Sequence, residues 1–511
     1  MNGNGISRRY FFLGSLLAGT MPAQGFRSIA SLKALGYKSP NEKLNVASIG
    51  AGGKATSDIT AVARTENIVA LCDVDEKRAA EIFGRYPQLP KYKDFRVMLD
   101  KEDKNIDACI VTIPDFMHAT AAIHAMERGK HVYTQKPLAH TVWECRKLQQ
   151  AANKYNVATQ MGNQGYSNEG TRQCAEMIWS GAIGNVTEVH AWTDRPWWPQ
   201  GLTSLPAAEP VPSYMDWDLW TGIQKSRPYS HAYAPFSWRG FFDFGSGALG
   251  DMACHILGAA NMALRLTAPT HIEIVKIDGP SNYYYPSGSV IRFDFPARGD
   301  MPPVKIYWYD ARMKPPAIPG VPEDAILGDL PRSRQSEHRI EPDSEPRERQ
   351  IIGGVFSDQA YFHPHAVPQR KPRPKPKPQP ASNARKIEEH NRHGSNGSLF
   401  VGDKGFITTG TYGEWTRLIP VEKMKSYQFP PEFIPRSPGH YRDWINAAKG
   451  GPAACSNFNI AAPFTEWITL GAVAIHCQNN LDWDSENMRI TNNEDANKLL
   501  SPTFREGWTL S

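Results

Sequence analysis

Asp251 and His255 stand four residues apart in Gly247-Ala248-Leu249-Gly250-Asp251-Met252-Ala253-Cys254-His255. On a helix that spacing puts both side chains on one face. The aspartate can bind a sugar hydroxyl or orient the histidine. Histidine titrates near neutrality and suits removal of a hydroxyl proton as hydride leaves the carbon. The same spacing would serve a metal pair, but no His-Glu-x-x-His or cysteine cluster supplies a third ligand, so no metal is expected. A buried Asp–His pair on a core helix is the plainer alternative. A second candidate is Lys136 in Tyr133-Thr134-Gln135-Lys136-Pro137. Pro137 stops a strand and holds the lysine at its rim, where an ammonium can donate to a substrate oxygen and stabilise alkoxide charge. It equally reads as a surface lysine at a strand end. The third candidate is Thr112-Ile113-Pro114 with His118 four residues on. Pro114 would turn the chain over a cofactor, and His118 would either approach a nicotinamide ribose or cap the next helix.

These groups need an element that brings a cofactor to them, and one stretch has that form. Leu44-Asn45-Val46-Ala47-Ser48-Ile49 is an apolar run that ends in Gly50-Ala51-Gly52-Gly53-Lys54-Ala55. A helical stretch follows, then a second apolar run that ends in Asp73. Strand, tight turn, helix, strand and acid is the layout of a dinucleotide-binding βαβ unit. Gly50 permits the turn. Gly52, with Gly53 beside it, leaves the backbone open to a pyrophosphate. Ala55 lets the helix pack on the strand, and the helix N-terminus presents free N–H groups to phosphate. Asp73 is placed to accept hydrogen bonds from the adenosine ribose and to repel a 2′-phosphate. Val74 and Asp75 follow it, with no arginine immediately after to receive that phosphate, so NAD is expected rather than NADP. The alternative is that Asp73 only starts a loop and Asp75 caps a helix.

Around this unit the pattern alternates strand and helix. Strands are predicted at 44–49, 68–72, 108–113, 131–134 and 157–161, with helices between them at 117–128 and 141–154, a parallel sheet covered on both faces. Beyond Gly162 the pattern changes. A helix is expected over Thr171–Ser180, strands at 186–192, 271–278, 289–295, 304–309 and 398–408, and a late helix at about 461–477. Those runs predict a second, α/β domain on a large, mostly antiparallel sheet. The expected division is a signal and linker at 1–40, a Rossmann domain at 41–165, and a substrate and oligomerisation domain at 166–511 that carries a Pro/Lys-rich insertion at 368–394. The second domain is dense in aromatics and arginine. Arg195, Trp197, Trp238 and Arg239, with Asp251, are candidates to stack on sugar faces and read hydroxyls, although most of the 14 tryptophans are expected in the core.

Bulk properties narrow the class. The 511 residues suit two or three domains, and the formal charge of +5 gives no case for nucleic acid. Seven scattered cysteines without Cys-x-x-Cys indicate neither a disulfide scaffold nor a zinc finger. Ser7-Arg8-Arg9-Tyr10-Phe11-Phe12, followed by a short apolar stretch to Met21, resembles a twin-arginine export signal. The stretch is too short for a stable membrane span. A periplasmic or otherwise extracytoplasmic address follows, with the twin-arginine machinery as a partner and a tightly held NAD loaded before export. Pro368 to Pro378 alternates proline with basic residues and reads as a solvated polyproline insertion.

Glycine loop, Lys-Pro at a later strand end and Gly-x-x-x-Asp-x-x-x-His downstream together resemble the Gfo/Idh/MocA family of NAD(P)-dependent oxidoreductases. The resemblance runs from about Leu44 to the C-terminus, broken by the proline insertion. It implies an N-terminal Rossmann domain and a C-terminal α/β domain whose open sheet faces the cofactor. Lys136 matches the lysine of the family's Glu-Lys-Pro motif, Asp251 its substrate-site aspartate and His255 its catalytic histidine. Gln135 departs from the pattern, standing where the family usually has glutamate. The function implied is NAD-dependent oxidation of a sugar, sugar alcohol or glycoside, by an enzyme expected to be a homo-oligomer. Two alternatives stand beside it. One is a glycoside hydrolase that oxidises C3 transiently and returns the hydride. The other is a non-enzymatic carbohydrate-binding protein stabilised by NAD.

Overall fold

The computed structural model describes residues 42–330 and 394–510. The expected export signal and all of the Pro/Lys-rich insertion except Gly394 lie outside the described residues.

The first unit alternates β1 (Asn45–Ile49), α1 (Lys54–Val62), β2 (Asn67–Cys72), α2 (Glu76–Arg85), β3 (Lys91–Tyr92), α3 (Phe95–Lys101), β4 (Ala108–Val111), α4 (His118–Glu127), β5 (His131–Thr134), α5 (Val142–Tyr155) and β6 (Thr159–Met161). The strands pair in parallel in the order β3-β2-β1-β4-β5-β6. β4 is buried throughout and β1 nearly so, as strands covered on both faces must be. α2, α3 and α5 start where side chains satisfy their first amides. Asp75 accepts from the Arg78 N–H on α2, and Thr141 with Glu144 forms a capping box on α5. The chain leaves β1 towards β2 on one side and reaches β4 on the other. That reversal opens a crevice at the carboxyl ends of β1 and β4, the switch point where open α/β sheets hold ligands.

The second unit contains α6 (Glu169–Trp179), β7 (Val186–Trp192), α7 (Trp217–Thr221), α8 (Gly247–Ile256), α9 (Gly258–Ala263), β8 (His271–Asp278), β9 (Gly288–Phe295), β10 (Val304–Tyr309), β11 (Gly397–Gly402), β12 (Gly405–Thr409), β13 (Arg417–Ile419), α10 (His440–Ala448), α11 (Phe458–Cys477), β14 (Leu481–Asp484) and β15 (Arg489–Ile490). Nine strands form one sheet in the order β13-β12-β11-β7-β10-β9-β8-β14-β15. Only β7 and β10 pair in parallel. The run expected as one strand at 398–408 is a hairpin: Gly402 pairs with Gly405, and Asp403-Lys404 makes the turn. Leu399-Phe400-Val401 and Phe406-Ile407 are separate apolar runs, and the Gly402-Asp403-Lys404-Gly405 between them is a turn signal that a single-strand reading passes over.

Two late helices tie the units together. α11 has the length and composition of a membrane span, with mean hydropathy 1.3, but 78% of that window is buried. Trp467 packs edge-on against Phe293 and Phe295 of β9, and Glu466 on the same helix pairs with Arg146 of α5 at 2.7 Å. α10 covers the Rossmann sheet. Its Tyr441, Trp444, Ile445 and Ala448 share one apolar cluster with Val46 of β1, Leu71 of β2, Ile110 of β4 and Tyr133 of β5. A helix nearly three hundred residues downstream of β6 thus completes the layer over the first sheet.

Candidate active site

Lys136 leaves the end of β5, and Asp251 and His255 rise from α8. The Lys136 Nζ donates to Asp251 Oδ1 and to the Asp251 main-chain oxygen, each at 2.7 Å. Arg239 Nε approaches the same carboxylate oxygen at 3.5 Å. Burial alone would raise the Asp251 pKa, but Lys136 and Arg239, with Arg195 beyond, overcome it and hold the group at about 2. Asp251 is therefore ionised at neutral pH. His255 is buried, its Nδ1 has no hydrogen-bond partner, and its ring meets the Tyr412 ring edge-on with centroids 4.8 Å apart. Burial, then the Lys136 charge, push the imidazole well below its ordinary pKa; Asp251 pulls it back, while Lys54 and His440 push it lower still. His255 is neutral at pH 7 and able to accept a proton. The residue just before that helix ties it to the first unit: Ser246 Oγ donates to Asp115 Oδ2 at 2.9 Å. Asp115 follows Pro114. Burial pushes its carboxyl up to about 6 against the opposing pull of Arg239, Lys136 and His140.

The glycine loop lies at the switch point. Gly50 has φ +95°, and a Cβ there would sit 2.1 Å from the Thr112 carbonyl oxygen, so no other residue fits. No side chain caps α1; its Ala55 and Thr56 N–H groups turn back to the Gly52 and Gly53 carbonyls at 3.3 and 3.2 Å. Asp73, at the end of β2, accepts from the Ala51 N–H at 2.8 Å, the Gly52 N–H at 3.2 Å and the Asp75 N–H at 2.9 Å. Asp73 thus shapes the loop. Arg78 was missed by sequence reasoning. It lies one helical turn beyond the Asp75 cap, and its side chain returns over the loop; a Cβ on Gly53 would fall 2.2 Å from its Nη2. A guanidinium therefore does stand beside Asp73, although none follows it directly in sequence. An uncapped helix start, a glycine cradle, a carboxylate and a guanidinium are a donor and acceptor set that fits a dinucleotide.

Residues 44–163 match the oxidoreductase-family model described as an NAD-binding Rossmann fold, and residues 175–293 match that of the family's C-terminal alpha/beta domain. These two stretches are thus similar to the two domains of the Gfo/Idh/MocA oxidoreductases. Among curated relatives, inositol 2-dehydrogenase of Salmonella paratyphi B is 30% identical over 125 residues, 24% of this chain and 37% of that protein. Levoglucosan dehydrogenase of Pseudarthrobacter phenanthrenivorans is 26% identical over 191 residues, 37% of this chain and 40% of that protein. The chain thus spans under half the length of these relatives. The fold is shared with the WlbA dehydrogenase of Bordetella pertussis, solved with NADH and UDP-GlcNAcA, at 13% identity and TM-score 0.53, over 87% of this chain and 99% of that one.

The remaining candidates divide. Thr112 lies at the end of β4, and its Oγ1 donates to Asp58 at 2.9 Å. Pro114 opens the short turn that carries Asp115. The His118 ring faces main-chain carbonyls and caps no helix amide. Its two ring nitrogens lie 2.8 Å from the carbonyl oxygens of Ile113 and Pro137; burial lowers its pKa to about 4, so the neutral ring carries one N–H and donates to one of the two. It ties the β4 turn to the Lys-Pro turn from beneath. Arg195 lies over the Trp197 ring at 3.2 Å, and Trp197 is 63% exposed, free to present its other face. Trp238 is only 5% exposed; its indole supports the Arg239 guanidinium, 4.3 Å away, and has no open face for a sugar. Tyr412 and Asp115 join the site with no warning in the sequence. Tyr412 arrives from the β12–β13 loop, far from any motif.

Proposed function

We propose that the protein is an NAD-dependent dehydrogenase of a sugar, sugar alcohol or glycoside. The observation that carries this reading is the meeting of Lys136, Asp251 and His255 from two units at the open end of the glycine-loop crevice. Gly50, Gly52, Gly53, Asp73 and Arg78 would hold the dinucleotide, which when bound supplies the hydride acceptor. The chain's own residues do the rest. Lys136 donates to the substrate oxygen and stabilises its developing negative charge. Asp251, ionised, accepts from a neighbouring hydroxyl and orients the ring. His255, neutral, takes the hydroxyl proton as the carbon is oxidised. Arg195 with Trp197, and Arg239, line the approach. The relatives' names support a polyol or anhydrosugar as the type of substrate. Asp73 supports NAD over NADP, whereas Arg78 would tolerate a 2′-phosphate. The reading includes export through the twin-arginine route with the cofactor tightly bound, and assembly as a homo-oligomer.

The test is direct. Purified protein is denatured and its supernatant assayed for NAD and NADP. The native protein is then incubated with myo-inositol, levoglucosan and a glycoside panel, with and without an external hydride acceptor. Acceptor-dependent keto-sugar formation is expected. Release of free sugar without acceptor would instead establish the hydrolytic cycle. Neither product, with NAD recovered, would leave the carbohydrate-binding protein stabilised by NAD.

A further inference from the structure

Asp58 is a buried carboxylate with four donors from four elements. Its Oδ1 accepts from Tyr441 Oη of α10 at 2.6 Å and from Lys54 Nζ of its own helix at 2.7 Å. Its Oδ2 accepts from Thr112 Oγ1 beyond β4 and from Gln135 Nε2 beyond β5, both at 2.9 Å. The side chain itself has no exposed surface. A carboxylate is acceptor-only, with lone pairs for four donors, so every capacity of the group is used. The donors are not incidental. Gln135 precedes Lys136, and Thr112 precedes Ile113-Pro114, so both strand ends that meet the cofactor crevice hang on one side chain. Gln135 has little freedom to do otherwise: a Cβ on Gly162 would lie 2.7 Å from its Cδ, and its main-chain N–H is held by the Val111 carbonyl at 2.9 Å.

We propose that Asp58 is a positioning residue for the nucleotide crevice and that Asp58 and Gln135 form a matched carboxylate–amide pair. The negative charge can sit on either member, but not on both. This explains why an amide stands at residue 135. A glutamate there would place a second carboxylate against the first in a buried site, where like charges repel strongly. An amide instead donates to the carboxylate. The groups facing the pair are Lys54 on α1, Tyr441 and His440 on α10, and Tyr133 on β5. One cation thus balances one anion. Tyr441 stays a donor, because burial and Asp58 hold its phenol well above its ordinary pKa.

The inference rests on the crevice binding a dinucleotide. Its test is NADH affinity by fluorescence at pH 8 and pH 6 for the parent, Gln135→Glu, Asp58→Asn and the double variant, with melting temperature as a check of folding. Gln135→Glu is expected to bind NADH about tenfold more weakly at pH 8, or about 1.4 kcal/mol. Affinity should recover at pH 6, where the paired carboxyls share a proton and one becomes a donor. Asp58→Asn/Gln135→Glu should return to within about threefold of the parent at both pH values, since it carries the same charge with the roles exchanged. A residue that only supported packing would give neither rescue nor pH recovery. If Asp58→Asn does not fold, the Gln135→Glu pH series decides alone. Parent-like affinity of Gln135→Glu at pH 8, or a double variant no better than Gln135→Glu, would overturn the proposal. A parent that carries no nucleotide as purified and binds no added NADH would overturn the dinucleotide reading itself, a result the parent control separates from the others.

Discussion

At the scale of residues, the site is an electrostatic arrangement around one carboxylate. Asp251 stays charged in a buried setting because Lys136 and Arg239 face it, and the same Lys136 charge helps keep His255 neutral. His255→Ala is expected to lower turnover by about 10²–10⁴-fold while leaving NADH affinity unchanged, because the histidine is placed to move a proton and lies apart from the glycine loop. Steady-state kinetics beside fluorescence titration checks this; near-parental turnover would remove His255 from the mechanism. Lys136→Met carries a pH prediction. A positive neighbour lowers an imidazole pKa, so removing it raises that of His255. The base then protonates earlier as pH falls. The acid limb of kcat/KM in the residual activity should move to higher pH relative to the parent. An unmoved limb would mean that the two groups do not share one field.

At the scale of elements, two features position that chemistry. One is the β1–α1 turn, where Gly50 combines a left-handed φ with contact against the Thr112 carbonyl. Gly50→Ala must carry about 1–2 kcal/mol of backbone strain in addition to pushing the β4 end away. It should lose NADH binding at temperatures where it is still folded, as a thermal melt beside a binding titration would show. Binding equal to the parent would show that the loop can give. The other is α10. Trp444 is fully buried against Tyr133 of β5, ring centroids 5.7 Å apart, on the same helix as Tyr441. Trp444→Ala is expected to destabilise the protein by about 3–5 kcal/mol in urea unfolding, the usual cost of emptying a large aromatic site. Because Tyr441 reaches Asp58, nucleotide affinity should fall as well. Loss of stability with unchanged affinity would make α10 a cover and nothing more.

At the scale of the whole molecule, α10 and α11 join the two sheets, and the proposed function assigns the nucleotide to the first sheet and the substrate side to the second unit. The proline-rich tract lies outside the described residues, and its sequence alone carries the next expectation. Alternating prolines supply no ladder hydrogen bonds and few apolar groups to bury. Deleting 368–380 is therefore expected to leave melting temperature, bound nucleotide and turnover close to the parent, since halving a loop changes closure entropy by only roughly 0.6 kcal/mol. A collapse in stability would show that the tract is packed, while retained stability with lost turnover would make it a substrate contact.

The local sequence determined a good deal. Strand–turn–helix order around Gly50 and Asp73, the parallel alternation to β6, the change of pattern after Gly162, and the four-residue spacing of Asp251 and His255 are all short-range, and short-range periodicity is what local sterics and amphipathicity write into a chain. The tertiary structure decided what depends on separation. Lys136 and Asp251 are 115 residues apart, and Asp58 and Tyr441 are 383 apart. No periodicity registers such pairs. Arg78 returned to the glycine loop because one helical turn reversed its direction. His118 became a clamp because two carbonyls happened to flank it, and Trp238 became a support because its ring was already buried. Gln135, a departure when only its neighbours in sequence are considered, makes physical sense once the carboxylate of Asp58 is seen against it. The charge that the strand end lacks is supplied by a helix that packs beside it.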